Sequence, residues 1–387
     1  MSEQLEQSAV IVLDEIVRRA VRAKASDIHL EPKRDRMNVR LRIDGEMVDE
    51  QAVPLEIAPE VISRVKVLAR MDIAERRVPQ DGQLTLAPEG QTVHLRCSTF
   101  PASLGEKVVL RILSGQALIS FDKLGLNPGT QAIVRELVDR PQGFIVTAGP
   151  TGAGKTSTLY SFMRLIDTRR TNVMTLEDPI EVEVPQITQG QTLVKAGFTF
   201  ATGLRAILRQ DPDVILVGEI RDAETAGIAL QASLTGHLVL STLHTSDAVE
   251  TAVRLVDLGV EPWIVANALT AILAQRLVRI VCRKCQEVTK LDVDLVDGDQ
   301  VLIERGANIV RPRGCNECNR TGYKGRIGIF EAVVVDDDMR ELIKHKASPR
   351  EYRVLLKQRG IPSLRSPGLQ KVRDGVTTVD EVLRVTI

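Results

Sequence analysis

Gly149-Pro150-Thr151-Gly152-Ala153-Gly154-Lys155-Thr156 decides how this chain is read. Every fixed position of the pattern G-x-x-x-x-G-K-[ST] is filled. An apolar run, Phe144-Ile145-Val146-Thr147-Ala148, precedes the octapeptide, and a helix-like run from Ser157 to Ile166 follows it. Glycines let a backbone wrap closely around phosphates without a Cβ in the way. The N–H groups of such a loop, and the helix N-terminus behind it, supply positive potential. In that geometry Lys155 reaches the β- and γ-phosphates and the Thr156 hydroxyl binds Mg²⁺, with Ser157 opening the helix. The plainer alternative is a glycine-rich connecting loop, and a strand on one side with a helix on the other argues against it.

Working outward, buried-type strands follow at Val173 to Leu176, Val214 to Val217 and Leu238 to Thr242, with helical patterns between them. Strands alternating with helices imply a parallel sheet. Two of these strands run into acids, Glu177 and Glu219, and the third into His244. Ligands of open α/β sheets sit at the carboxyl ends of strands, so all three side chains are expected beside the phosphate loop. Isolated carboxylates at strand ends are often just solvated. Three polar strand ends beside one such loop favour nucleotide hydrolysis, which needs groups to hold the metal and orient water.

Upstream the pattern differs. Residues 8–25 have helical spacing (Val10, Leu13, Val17, Ala20, Val21), and 58–71 reads as a second helix. Alternation at 27–31 and 37–43, then near 83–87, 92–98 and 107–113, reads as strands. The expected organisation is an α+β domain over 1–113, a turn-rich linker over 114–125 and an α/β core over 126–281. A cysteine subdomain follows over 282–318, and a region of short helices over 319–387.

Four of the five cysteines form two C-x-x-C pairs, Cys282/Cys285 and Cys315/Cys318, with residues 286–314 between them. Such pairs can place four thiolates around a tetrahedral Zn²⁺, and closing the longer-than-usual loop adds little entropy cost. Redox chemistry or simple burial is the alternative. DNA binding by a finger is disfavoured because the intervening segment carries Asp292, Asp294, Asp297 and Asp299. Cys97 is left over and is expected to pack on a strand.

Lys plus Arg and Asp plus Glu are both 51, so the formal net charge is zero, and aromatics are 3%. Neither fits a nucleic-acid translocase, which needs a basic track and stacking platforms. No signal-like segment or membrane-spanning run is evident, so a cytoplasmic protein is expected.

Several segments together resemble the type II/type IV secretion ATPase superfamily, which includes type II secretion ATPases and type IV pilus assembly and retraction ATPases. They are the phosphate loop, Leu176-Glu177-Asp178-Pro179, Gly218-Glu219-Ile220-Arg221-Asp222 and Thr235-Gly236-His237 through His244-Thr245. The first unit matches the family's regulatory domain at Ser26-Asp27-Ile28-His29-Leu30-Glu31-Pro32 and Arg42-Ile43-Asp44-Gly45. The resemblance implies a RecA-like ATPase domain, a smaller α+β N-terminal domain and a tetracysteine zinc subdomain. It implies that Glu177 positions water, Glu219 acts on Mg²⁺ and His244 senses the γ-phosphate. It further implies that ATP is clamped by arginines of both domains, Arg96 with Arg111 and Arg205 with Arg209.

By the same resemblance the protein is a homo-hexameric motor working on an inner-membrane platform and cytoplasmic-domain proteins of a secretion or pilus machine. It would associate peripherally with the inner membrane through these partners and bind no nucleic acid directly. Type II secretion is favoured over pilus assembly. Members of the extension type usually carry a further N-terminal docking domain. Because this chain opens almost directly at Ser26-Asp27-Ile28-His29, that domain is expected to be absent.

Overall fold

Alternating side chains build the first sheet. In the computed structural model, which describes residues 2–113, 119–298 and 300–386 with side chains from Ser8 onward, the chain forms two compact units, Met1–Gln116 and Ala117–Ile387. Residues 114–118 of the expected linker, and Asp299, lie outside the described residues. No helix among the described residues is long and apolar enough to cross a membrane.

The first unit runs α1 (Ser2–Arg22), β1 (Asp27–Pro32), β2 (Arg36–Ile43), β3 (Glu46–Asp49), β4 (Val53–Pro54), α2 (Ala58–Leu68), β5 (Gln80–Leu86), β6 (Val93–Ala102) and β7 (Gly105–Ile112). Its antiparallel sheet has the order β3-β2-β1-β7-β6-β5, with β4 also on β2. Along β6, Val93, Leu95, Cys97 and Thr99 are buried, while His94, Arg96, Ser98 and Phe100 are exposed. The buried face packs on Leu13, Val17 and Ala20 of α1 and Val61 and Val65 of α2. Cys97 sits in this core as expected, and burial pushes its thiol up to about 12. Lys66 of α2 is 1% exposed and donates to Glu106 Oε1 on β7 at 2.8 Å and to the Glu75 carbonyl at 2.6 Å. A buried cation of this kind is tolerable only when paired and hydrogen-bonded.

The second unit begins with α3 (Pro128–Val138), then β8 (Gly143–Ala148), α4 (Lys155–Met163), β9 (Val173–Glu177) and β10 (Thr188–Gln191). It continues with α5 (Phe200–Ile207), β11 (Val214–Val217), α6 (Ala223–Leu234), β12 (Leu238–Leu243), α7 (Ala248–Asp257), α8 (Pro262–Ala268) and β13 (Leu269–Val281). A lobe of short strands follows: β14 (Gln286–Lys290), β15 (Leu295–Asp297), β16 (Gln300–Ile303) and β17 (Asn308–Pro312). The chain returns along β18 (Tyr323–Val334) and ends in α9 (Asp337–Lys344), α10 (Pro349–Gln358), α11 (Arg365–Arg373) and α12 (Val379–Thr386).

The main sheet has the order β10-β9-β11-β12-β8-β13-β18, parallel except for β18. Its inner strands β8, β11 and β12 are buried along their whole length because both faces are covered. Ile145, Leu216 and Leu240 face a core with α3 and α4, while Phe144, Val146, Ile215 and Val239 face one with α5–α8 and the C-terminal helices.

Two expectations need correction. The region 319–387 is not wholly helical, since Tyr323–Val334 is a strand paired along β13 in the main sheet. The second half of the expected linker is not loose either. Phe121 and Leu124 are buried against α3, α4 and Phe330, because these apolar side chains cover the edge of the sheet.

Candidate functional site

The loop 149–154 leaves the end of β8 and enters α4 at Lys155. Gly149 has φ +156°, and a Cβ there would stand 2.6 Å from the Gln275 carbonyl and 2.9 Å from Ala153 Cβ, so this close approach demands glycine. Gly154 has φ +87°, a left-handed turn into the helix. Lys155 is 7% exposed, and its ammonium donates to the Gly149 and Pro150 carbonyls at 2.7 and 3.0 Å. Burial pulls the ammonium down to about 8, assisted by Arg276 and opposed by Glu219. Thr156 and Ser157 occupy the first turn of α4, where the backbone N–H groups are unpaired within the helix.

The strand ends converge through the backbone. Gly149 N–H donates to the Leu243 carbonyl (3.2 Å), Gly218 N–H to Leu176 (2.8 Å) and Ile220 N–H to Thr242 (3.1 Å). These bonds bring Glu177 and Glu219 onto adjacent strand ends and set His244 at the same edge. Glu219 is paired with His244, Nε2 to Oε2 at 3.3 Å, and with Arg221 through its other oxygen.

Glu177 is 2% exposed and already held. Tyr160 of α4 donates to its Oε2, while Thr175 Oγ1 (2.6 Å) and Gln189 Nε2 (3.1 Å) donate to its Oε1. Burial, then Glu177 itself, raises the Tyr160 hydroxyl well above the usual phenol range.

The arginines fall into separate groups. Arg205 on α5 pairs with Glu224 at 2.8 Å. Arg209 lies past the end of α5 and donates to the Arg205 carbonyl at 2.8 Å. In the first unit, the register of β6 and β7 places Arg96 directly opposite Arg111. Asp27 stands opposite Arg111 on the other side, and Arg111 Nε donates to Asp27 Oδ1 at 2.9 Å. Asp27 also lies 3.7 Å from Arg42, so the sheet carries a row of Arg42, Asp27, Arg111 and Arg96.

The four thiols of Cys282, Cys285, Cys315 and Cys318 come together at the end of the β13–β18 ribbon, every pair of sulfurs within 4.8 Å. Two ladders explain this. The pairing of Val281 with Tyr323 sets Cys282 N–H on the Gly322 carbonyl (2.9 Å), and that of Gln286 with Pro312 sets Cys285 beside Gly314. Backbone N–H groups point at sulfur: Gly314 at Cys285 (3.3 Å), and Cys315 and Gly322 at Cys318 (both 3.2 Å). The Cys315 and Gly322 amides favour the thiolate at Cys318, whose pKa falls below the usual thiol value although burial opposes it, whereas burial pushes the Cys285 thiol up to about 11 against its Gly314 amide. The cluster can hold a metal ion.

Sequence reasoning missed Tyr160 and Gln189, which no spacing ties to Glu177. It also missed Gln275 and Arg276 on β13, where two polar residues interrupt the apolar run Ala271–Val278. That interruption is a signal. Gln275 is 2% exposed and accepts a hydrogen bond from Thr158 Oγ1 at 2.8 Å.

A family model described as "Type II/IV secretion system protein" matches residues 3–384. The Type II secretion system protein E of Pseudomonas aeruginosa is 46% identical over 392 residues, covering 100% of this chain and 77% of that protein. The Type IV pilus assembly ATPase TfpB of Acinetobacter baylyi is 44% identical over 386 residues, covering 98% of this chain and 66% of its own. The X-ray structure of the Legionella pneumophila ATPase DotB shares the fold, with a TM-score of 0.69, 21% identity and coverage of 97% of this chain and 95% of its own.

Proposed function

Because the chain belongs to the Type II/IV secretion system protein family, we propose that its ATP hydrolysis powers type II protein secretion as a ring-forming motor. The observation that carries the reading is the convergence of Lys155, Glu219 and His244 on one edge of a parallel sheet. ATP would bind the phosphate loop through backbone N–H groups and Lys155, and the Thr156 hydroxyl and Glu219 would hold its Mg²⁺, which offsets phosphate charge when bound. His244, with its Nε2 3.3 Å from Glu219, reports the terminal phosphate. Glu177 supplies the carboxylate for the attacking water, its direction fixed by Tyr160, Thr175 and Gln189. Arg205 and Arg209 of the second unit supply positive charge for the transferred phosphoryl group, and Arg96 and Arg111 are the first unit's own arginines required for turnover.

The cysteine cluster fits Zn²⁺. Sulfurs about 2.3 Å from a tetrahedral zinc stand about 3.8 Å apart. Three of the six sulfur separations are 3.9 Å (Cys282–Cys315), 3.8 Å (Cys285–Cys318) and 3.7 Å (Cys315–Cys318), and all six are within 4.8 Å. Zinc there is structural, since four protein ligands leave no open position for chemistry.

The assembly is a homo-hexamer acting at the cytoplasmic face of the inner membrane through platform and cytoplasmic-domain partners. Ring formation makes specific activity rise with protein concentration, which ATPase titration alongside sedimentation reads directly. Type IV pilus assembly is the second reading, favoured by the similarity to TfpB. Expression in bacteria lacking their own secretion ATPase, or their own pilus assembly ATPase, separates the two. Restored protein export, lost again with Lys155→Ala, supports secretion, and restored pili without export supports assembly.

A further inference from the structure

The strand beside the phosphate loop carries two polar residues that the mechanism above does not use. β13 runs parallel to β8 with Leu273 opposite Thr147 and Ala274 opposite Ala148, so Gln275 and Arg276 fall beside the start of the loop. Gln275 touches both ends of it. Its carbonyl is the atom that forbids a side chain at Gly149, and its Nε2 stands 3.0 Å from where a Cβ on Gly154 would be. Arg276 reaches further. Its Nη1 lies 3.5 Å from the Cβ position of Gly149 and donates to the Gln275 carbonyl at 3.0 Å, while its Nη2 donates to the Ser246 carbonyl at 2.6 Å. The guanidinium thus spans from β13, past the root of the phosphate loop, to the segment that follows β12.

That segment begins with His244. Most of its other anchors belong to α7, although His244 also pairs with Glu219 and Asp247 lies 3.5 Å from Arg353 of α10. Ser246 donates through both its N–H and its hydroxyl to Glu250, Thr245 bonds Thr251 at 2.7 Å, and Asp247 caps the helix by accepting from Glu250 N–H at 2.7 Å. Arg276 ties Ser246 to β13, the strand that lies against the root of the nucleotide loop. Its surroundings suit a permanent brace. Burial lowers its proton affinity, Asp247, Glu250 and Glu331 offset this, and the guanidinium stays charged across the physiological range. A planar fork can hold two carbonyls at once, whereas a lysine ammonium on a flexible stem holds such a span poorly.

We propose that Arg276 is a positioning residue, which fixes the His244 segment relative to the phosphate loop so that His244 and its partner Glu219 meet the terminal phosphate in register. This rests on the role given to His244 above. Misplacing a reacting group by about 1 Å can cost about 10²-fold in rate. Loss of the brace is therefore read in turnover and not in nucleotide affinity.

The test uses the full chain and compares kcat, KM and directly titrated ATP affinity for the parent, Arg276→Ala, His244→Ala and the double variant. Arg276→Ala is expected to lower kcat by about 10²-fold while ATP affinity stays within a few-fold. Because Arg276 acts through His244, the double variant is expected to turn over no more slowly than His244→Ala alone. A double variant slowed by the product of the two single effects overturns the inference, as does Arg276→Ala at the parental rate or an affinity loss equal to the fall in kcat. His244→Ala at the parental rate overturns the role of His244 and this inference with it. An impaired His244→Ala with additive coupling overturns this inference alone. If Arg276→Ala does not fold, Arg276→Lys carries the same comparison, with a smaller loss of kcat and the same dependence on His244.

Discussion

The two sheets of this molecule gather polar side chains in opposite ways. The parallel sheet collects them at strand ends. Glu177, Glu219 and His244 are far apart in sequence, yet β9, β11 and β12 all finish at one edge. The antiparallel sheet collects them mid-strand, where register alone sets Arg96 opposite Arg111 and Arg111 opposite Asp27. The first arrangement tolerates changes in helix length between strands, because each strand still ends at the same edge. The second is destroyed by a one-residue slip, which would turn every arginine to the core face. The buried Lys66–Glu106 pair and the alternating core of β6 and β7 guard against such a slip.

The largest effect should come from the parallel-sheet edge. Lys155→Ala should reduce ATP turnover by about 10³-fold or more, since a compact charge at the phosphates is removed from a low-dielectric site. Phosphate release under saturating ATP checks this. Arg96→Ala or Arg111→Ala sharpens the comparison, because each leaves the second unit untouched. On the reading above, turnover falls on the order of 10³-fold while ATP affinity changes little. If both variants keep parental turnover, the arginine row serves only the first sheet.

A third prediction concerns the cysteine lobe, which uses strand ladders to gather ligands. Metal analysis should find one zinc per chain, and Cys282→Ser should remove it. Hydrogen exchange should then show protection lost first over residues 282–318, because structural zinc contributes folding free energy directly. β8, β9, β11 and β12 should keep theirs. A metal-free lobe with unchanged protection would contradict this.

The smallest effect concerns Glu331 on β18. Burial and then Asp247 raise its carboxyl to about 7, against the Ala248 and Leu364 amides and Arg276. The folded state therefore holds a proton that the unfolded chain releases near 4.5. Its contribution to stability is complete below that value and is lost as pH rises through about 7. Glu331→Gln, which stays neutral, should be more stable than the parent at pH 8 by roughly 1–3 kcal/mol and no more stable at pH 4.5. Denaturant unfolding at the two pH values reads the difference.

The parallel core was legible because strands buried on both faces leave unbroken apolar runs, as in Phe144–Ala148 and Val214–Val217. Its phosphate loop was legible because close backbone approach restricts residue types. β18 was not, because it pairs with β13 across the whole cysteine lobe, and nothing local in Tyr323–Val334 announces a distant partner. The burial of Phe121 and Leu124 was hidden for the same reason, since it depends on Phe330 and the packing of α3 and α4. At the site, sequence could name Glu177 but not its company. Tyr160 reaches it from α4 and Gln189 from β10, a convergence made only by tertiary packing.

The central claim is that strand ends gathered by the parallel sheet hydrolyse ATP, and Glu219→Gln tests it most directly. The substitution keeps the shape of the side chain while removing the charge that faces Lys155 and His244 and turning one accepting oxygen into a donor. Measured in one preparation, ATP affinity should match the parent within a few-fold while phosphate release falls by about 10²-fold or more. Phosphate release at the parental rate would contradict the account.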